Sequence, residues 1–195
     1  MYSPFSHLFQ PNVTRGERDS GTTMRCSFWV SVLAAVSLAA CADQPSTQQP
    51  SFYRSMAQPG AELDAATASS MISGYRQNNG LDALTLDPEL MRLATVQAQA
   101  MAKRDKLDHN IAGPFKDRMK KSGFDAKLGA ENISAGYHTF AEAFSGWRDS
   151  PPHKANMLLK GATRMGIAAV YVPSSKYKVY WTLIVAAPDG ARPSS

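Results

Sequence analysis

Cysteine is almost absent from this chain of 195 residues. Its two cysteines, Cys26 and Cys41, lie in or beside an apolar run near the N-terminus, and none follows. A domain built from the rest of the chain therefore has no internal disulfide and no thiol chemistry. Its stability must come from a hydrophobic core, and the length is enough for one domain of ordinary size plus tails.

A strong charge of one sign is also lacking. The formal net charge is +5, and many of the lysines and arginines between residues 103 and 127 are interleaved with aspartates. We interpret that stretch as a solvated helix face rather than a lipid-headgroup or nucleic-acid surface, so no nucleic-acid partner is predicted. The sequence also contains no His-x-x-x-His pair, which excludes the compact helical metalloprotease motif.

The N-terminal part has the layout of a secretory signal. From Met24 a basic start leads into a short apolar run that ends in Leu38-Ala39-Ala40-Cys41. This end resembles the bacterial lipobox, in which the cysteine is lipidated and becomes the first residue of the mature protein. The alternative is an ordinary signal peptide in which Cys41 is incidental. The lipobox interpretation predicts an extracytoplasmic lipoprotein on the outer membrane.

The polar segments on either side of this signal are not expected to fold. Residues 1–23 precede the better start and are interpreted as an upstream extension. Residues 42–60 contain few apolar groups and several prolines, which is typical of a flexible tether. The folded domain is therefore expected over residues 61–189, followed by a short tail.

Helices are predicted to precede a final pair of strands. The apolar spacing favours helices over residues 62–78, from Pro88 to near Lys106, and over residues 115–121. A capping box at Thr139 and Glu142 begins a third long helix, which Pro151-Pro152 ends. A further short helix is expected over residues 153–159, whereas residues 130–135 could form a strand or an irregular loop.

The last two segments alternate as strands over residues 165–172 and 179–186. Both faces of the resulting hairpin are largely apolar, so other elements should cover both. Helices followed by an antiparallel hairpin indicate an α+β sandwich with helices on both faces of the sheet. Trp147 and Trp181 are predicted to be buried.

Two histidines and an acid are the candidate site residues. His109, Glu131 and His153 each lie near a helix in a segment bounded by glycine or proline. Neutral imidazole is a good Zn²⁺ ligand, and a carboxylate can complete or orient the set. Equally, Glu131 could hold His153 by a hydrogen bond with no metal present. Ser150 is a poor nucleophile candidate because no Ser-His-acid order is evident.

A series of motifs in the chain resembles the CAP superfamily, the cysteine-rich secretory, antigen 5 and pathogenesis-related group whose domain is also called SCP. The resemblance covers roughly residues 61–188. It implies an α-β-α sandwich with a large cleft. The motifs are Tyr75-Arg76-x-x-Asn79-Gly80-Leu81, Asp108-His109-Asn110, Gly129-Ala130-Glu131-Asn132-Ile133, Trp147-x-x-Ser150-Pro151-x-His153-x-x-Asn156 and Arg164-Met165-Gly166-Ile167-Ala168.

The resemblance also assigns roles within the cleft. His109 and His153 match the two family histidines and Glu131 matches the first glutamate, a set that binds a divalent metal such as zinc in some members. Ser150 stands where the second glutamate usually lies, which is a departure from the family pattern. The resemblance favours a binding module for a lipid, sterol, glycan or peptide over the alternatives, a metal-dependent hydrolase of the cell envelope or a structural envelope protein with a vestigial cleft.

Overall fold

The computed structural model describes residues 49–190. The upstream extension, the signal from Met24, Cys41 and the end of the tail lie outside the described residues. The helices and strands, in chain order, are α1 (Ala65–Gln77), β1 (Thr85–Leu86), α2 (Pro88–Arg104), α3 (Phe115–Ser122), β2 (Ala126–Ala135), α4 (Phe140–Asp149), α5 (Pro151–Met157), β3 (Arg164–Tyr171) and β4 (Val179–Pro188).

The four strands form one sheet in the order β1-β3-β4-β2. The predicted hairpin is confirmed as the antiparallel pair of β3 and β4. Strand β2 pairs with the other side of β4, also antiparallel, so residues 130–135 belong to a strand that already begins at Ala126. The short β1 pairs with β3 in parallel, which the sequence did not predict.

Helices cover both faces of the sheet, because β4 is apolar on both sides. Val179, Trp181, Leu183 and Val185 pack in one core with residues of α1, α4 and α5. The alternate side chains Ile184 and Ala186 pack in a second core with residues of α2 and α3. This arrangement confirms the predicted α+β sandwich. Trp147 and Trp181 are buried, as predicted.

The helix ends follow the local sequence chemistry. Asp87 accepts hydrogen bonds from the first backbone N–H groups of α2, and Pro88 occupies the first turn, where its missing N–H has no cost. The capping box of Thr139 and Glu142 is present at the start of α4. Pro151 does more than end α4, because it also begins α5, two residues earlier than expected. Proline is tolerated there for the same reason as at Pro88.

Part of the segment before residue 61 packs against the domain. Met56 is 4% exposed and belongs to the core formed with α1 and α4. Its backbone N–H donates to the carbonyl of His138 at 2.6 Å. The packed chain therefore extends N-terminal to the boundary expected near residue 61. Within residues 49–190 no helix combines the length and the apolar character needed to cross a membrane.

Arg76 in α1 fixes the chain that leaves α5. Its side chain is 1% exposed and donates to the carbonyl oxygens of Met157, Leu159 and Ala162 at 2.8 to 3.0 Å. These carbonyls follow a short helix and need donors once they are buried. Burial lowers the pKa of the Arg76 guanidinium. This side chain therefore holds the end of α5, the helix that carries His153, against α1 in the same layer.

Helix α2 approaches the sheet closely at Gly166 in β3. A Cβ atom at this position would overlap the backbone of Leu90 and Met91 in the first turns of α2. Backbone atoms cannot move aside as a flexible side chain can. The absence of a side chain at Gly166 is therefore what allows α2 to pack directly on the strand.

We expect Gly166→Ala to lower the free energy of unfolding by roughly 1–3 kcal/mol, because overpacking against backbone forces a shift of α2. Gly74→Ala is the matched control. A Cβ at Gly74, inside α1, would meet nothing within 4 Å, so the same substitution should stabilise by about 0.5–1 kcal/mol. Urea unfolding measures both changes, and equal effects of the two substitutions would contradict the close approach at Gly166.

Candidate functional site

The predicted site residues come from separate elements that meet near the middle of β2. His109 lies in the loop after α2, and Glu131 is in β2. Ser150 is the residue that caps the start of α5, and His153 lies in the first turn of that helix. The site therefore sits at the outer strand of the sheet, between a loop on one side and a helix on the other.

Glu131 is the buried centre of this group. It is 6% exposed, and both of its carboxylate oxygens have partners. Oε1 lies 2.9 Å from Nδ1 of His109, and Oε2 accepts a hydrogen bond of 2.7 Å from Nη2 of Arg118. The sequence left open a hydrogen bond from Glu131 to His153, but the carboxylate is paired with His109 and Arg118 instead. A buried carboxylate needs such partners, since an unpaired one is very costly.

Arg118 is the partner that sequence reasoning missed. The prediction of a solvated helix face is wrong for Arg118, which is only 6% exposed. Its Nε donates to the carbonyl of Gly113 at 2.9 Å, and its guanidinium lies 5.3 Å from the centre of the Phe115 ring. Neighbouring lysines of α3 do point outward, so composition alone gave no signal for this inward arginine.

The neighbour of the His153 ring is a hydroxyl rather than a carboxylate. Nδ1 of His153 is 2.9 Å from Oγ of Ser150. Burial lowers the pKa of the His153 imidazole, and the positive charge that His109 can carry adds to the effect. The two rings are therefore near enough to influence each other, as expected for residues of one site.

Two asparagines join α5 to β2 behind the histidines. Asn132 Nδ2 donates to the carbonyl of His153 at 2.9 Å. Asn156 Nδ2 donates to the side-chain oxygen of Asn132 at 2.9 Å and reaches the carbonyl of Glu131 at 3.2 Å. Both asparagines belong to the motifs quoted above, but no role could be given to them before the helix and the strand were seen together.

The arrangement limits how a metal ion could be held. Because Glu131 is occupied by His109 and Arg118, it is placed to orient the His109 ring rather than to be a direct ligand. Among residues 49–190, no group of three His, Cys, Asp or Glu side chains is close enough to hold a metal ion. The direct protein ligands that fit are the imidazoles of His109 and His153, so water or a bound molecule would have to supply the others.

A groove of about 930 Å³ lies next to this site. Its lining includes residues from Phe115 in α3 to Gly129 in β2. Apolar and charged side chains both contribute to this lining. The groove therefore borders the same edge strand that carries Glu131, two residues after Gly129.

The sequence of this domain also matches a known protein family. The model of the CAP family, described as the cysteine-rich secretory protein family, matches residues 70–185. This chain belongs to the CAP family. The matched range includes both histidines, Glu131 and the strands that surround them, so the resemblance inferred from the motifs is confirmed.

Relatives of known sequence or structure support the same family and fold. YkwD from Bacillus subtilis is 32% identical over 103 residues, which cover 51% of this chain and 40% of YkwD. An extracellular protein with an SCP domain from Bacillus anthracis superimposes with a TM-score of 0.54 at 21% identity, over 62% of this chain and 39% of that one. An outer surface protein from Borrelia burgdorferi superimposes with a TM-score of 0.58 at 17% identity, over 65% of this chain and 93% of that protein.

These figures define how far each similarity reaches. The chain spans only about 40% of YkwD and of the Bacillus anthracis protein, so the similarity covers less than half of either protein. The Borrelia protein is covered almost entirely. At this level of identity, the two solved structures establish the CAP fold of this chain.

The buried ion pair gives the site its first testable property. We expect Arg118→Met to lower the free energy of unfolding by roughly 3–5 kcal/mol, because Glu131 would be left buried without its cation. Adding Glu131→Gln to this variant should recover much of the loss. Arg92→Met is the control, since Arg92 pairs with Glu89 on the surface and such pairs contribute at most about 1 kcal/mol.

Urea unfolding of the single and double variants measures these effects. A loss for Arg118→Met no larger than that for Arg92→Met would contradict a buried ion pair. A double variant that is less stable than Arg118→Met by the full effect of Glu131→Gln would show that the two side chains do not interact.

Proposed function

We propose that this chain is an extracytoplasmic binding module of the CAP family. Its cleft, at His109, Glu131, Ser150 and His153, binds a lipid or another ligand of the cell envelope. The proposal depends on one observation. Each histidine ring uses its Nδ1 atom within the protein, and among the described residues no hydrogen bond reaches Nε2 of either ring.

This pattern suits the recognition of a ligand. If Nδ1 of His109 donates its proton to Glu131, Nε2 carries a lone pair that can accept a hydrogen bond or coordinate a cation. Burial lowers the pKa of His153, which favours the neutral form of that ring. Two imidazoles with available Nε2 atoms can hold a hydroxyl, a polar headgroup or a metal ion that itself binds the ligand.

A divalent metal such as zinc is part of the proposal as an optional component. His109 and His153 would be its protein ligands, and Glu131 would hold the His109 ring in the orientation for binding. Bound zinc would supply a Lewis acid that attracts an anionic ligand or lowers the pKa of a water molecule. With so few protein ligands, the affinity should be modest and should fall in acid, since protonated imidazole cannot coordinate.

A hydrolase remains the second candidate because of the contact between Ser150 and His153. A serine within 2.9 Å of a histidine is the first requirement of a nucleophile and its base. The second requirement is a third group that orients the base, and among residues 49–190 no carboxylate hydrogen-bonds to the His153 ring. The remaining carboxylate of the site, Glu131, is fixed by Arg118. A binding role therefore fits the geometry better.

Native mass spectrometry of the full-length protein, extracted gently from its own membrane, tests this function. We expect a bound small molecule, a bound divalent metal or both at pH 7.5, and less metal at pH 5.5. His109→Gln/His153→Gln should lose this additional mass, whereas His138→Gln should keep it because His138 lies outside the site. Additional mass that persists in the double variant, or none in the wild type, would contradict the proposal.

The location of the protein is proposed on two grounds. The sequence before the domain has the layout of a lipoprotein signal ending at Cys41. The similar proteins from Bacillus anthracis and Borrelia burgdorferi are described as extracellular and as an outer surface protein. A lipid-modified Cys41 would keep the CAP domain at the outer membrane, where envelope ligands are present.

We expect Cys41→Ser to release the protein from the membrane fraction, because several acyl chains are needed for stable anchoring. Cell fractionation followed by a high-salt wash of the membranes measures the effect. Cys26→Ser is the control and should remain in the pellet, since Cys26 would be removed with the signal. Variant protein that stays in the pellet after Cys41→Ser would disprove the lipid anchor.

A further inference from the structure

Strand β2 is the outer strand of the sheet, with β4 as its neighbour on one side only. The carbonyl of Glu131 accepts a hydrogen bond from Asn156 in α5, so it points away from β4. Backbone groups alternate in direction along a strand in an antiparallel pair. The N–H and C=O of Gly129, two residues earlier, therefore also point away from the sheet.

These outward groups of Gly129 have no partner in the part of the chain that the structure describes. Towards the C-terminal end of the strand, α5 covers the edge through its asparagine contacts. No element covers the edge at Gly129, which borders the groove of about 930 Å³. Unpaired backbone at the edge of a sheet is a ready template for another strand.

The groove supplies both apolar and charged surface beside this edge. Phe115, Met119, Phe124 and Leu128 form apolar parts of its lining. Lys116, Lys120 and Lys127 are exposed in the same lining, and they outnumber its two exposed carboxylates, Asp117 and Asp125. Among residues 49–190 no carboxylate forms an ion pair with these lysines.

The position of Lys127 makes the edge selective. The register between β2 and β4 shifts between Ala126 and Leu128, so Lys127 is an extra residue without a partner opposite it. Proteins use bulges and lysines at exposed edges to prevent pairing with arbitrary strands. A strand that brings carboxylates would satisfy the lysine instead of opposing it, whereas a basic strand would be repelled.

We propose that an extended acidic peptide binds in this groove as an additional strand along the first half of β2. Its backbone would exchange hydrogen bonds with Gly129, as in other complexes formed by strand addition. Its side chains alternate in direction, so the carboxylates of one set would face Lys116 and Lys120 on the α3 side of the sheet, while the other set packs on Leu128 on the opposite side. The proposal does not depend on a ligand at the histidines.

The test uses the full-length chain and a fluorescein-labelled octapeptide of alternating valine and glutamate. Fluorescence anisotropy should give saturable binding that weakens as salt is added, since charged groups attract the peptide. The same peptide with N-methylated backbone amides should bind at least tenfold more weakly, because it can no longer donate to the strand. A valine–lysine octapeptide should not bind at 1 mM.

Variants of the protein locate the binding. Lys127→Glu should weaken the valine–glutamate peptide at least tenfold, and Lys103→Glu, an exposed lysine at the end of α2, should change it less than twofold. In ¹H–¹⁵N spectra the Gly129 amide should shift on binding and exchange more slowly with solvent. His109→Gln/His153→Gln should bind the peptide as the wild type does, which separates this site from the histidine cleft.

Several outcomes would overturn the proposal. These are no binding of the valine–glutamate peptide at 1 mM, equal binding of the N-methylated peptide, or equal effects of Lys127→Glu and Lys103→Glu. Spectral changes that leave Gly129 unaffected would also overturn it. A shift of Gly129 caused by dodecanoate but not by the peptide would show that the groove takes an acyl chain instead of a strand.

Discussion

The double-sided burial of β4 is the constraint on which the rest of the structure depends. A strand with apolar side chains on both faces can exist in water only if a layer packs against each face. Helices α1, α4 and α5 provide one layer, and α2 and α3 provide the other. The centre of the sheet therefore has no room for polar chemistry, which explains why the charged groups of the site are found at the outer strand β2.

The position of the site on β2 buries the carboxylate of Glu131, and Arg118 provides the positive charge that stabilises it. Glu131 points to the same side of the sheet as its cross-strand neighbour Ile184, into the layer formed with α2 and α3. A carboxylate buried there needs a cation and hydrogen-bond donors. Arg118 provides the cation at Oε2 of Glu131, and Nδ1 of His109 contacts Oε1 of the same carboxylate. The same contacts that make Glu131 tolerable in the core also fix the ring of His109.

Short-range patterns in the sequence predicted the fold well, but they could not predict where long side chains point or which groups they contact. The capping box at Thr139, the Asp87-Pro88 start and the alternation of the last strands are local, and the structure has all of them. Arg118 and Arg76 have no such local signature. Whether an arginine faces solvent or reaches a carbonyl on another element depends on packing between distant parts of the chain. For the same reason, His109 rather than His153 could not be foreseen as the partner of Glu131.

The serine at position 150 gives the two histidines different hydrogen-bond partners. A glutamate there would give His153 a negative partner, as Glu131 does for His109. Ser150 offers His153 only a neutral hydroxyl, while burial and the nearby His109 both disfavour a proton on that ring. The two imidazoles are therefore unequal, since a buried carboxylate accompanies one and a neutral hydroxyl accompanies the other. Glu131 fixes the orientation of one ring from the sheet, whereas the residue that begins α5 positions the other, so the two halves of the site are held by different layers of the fold.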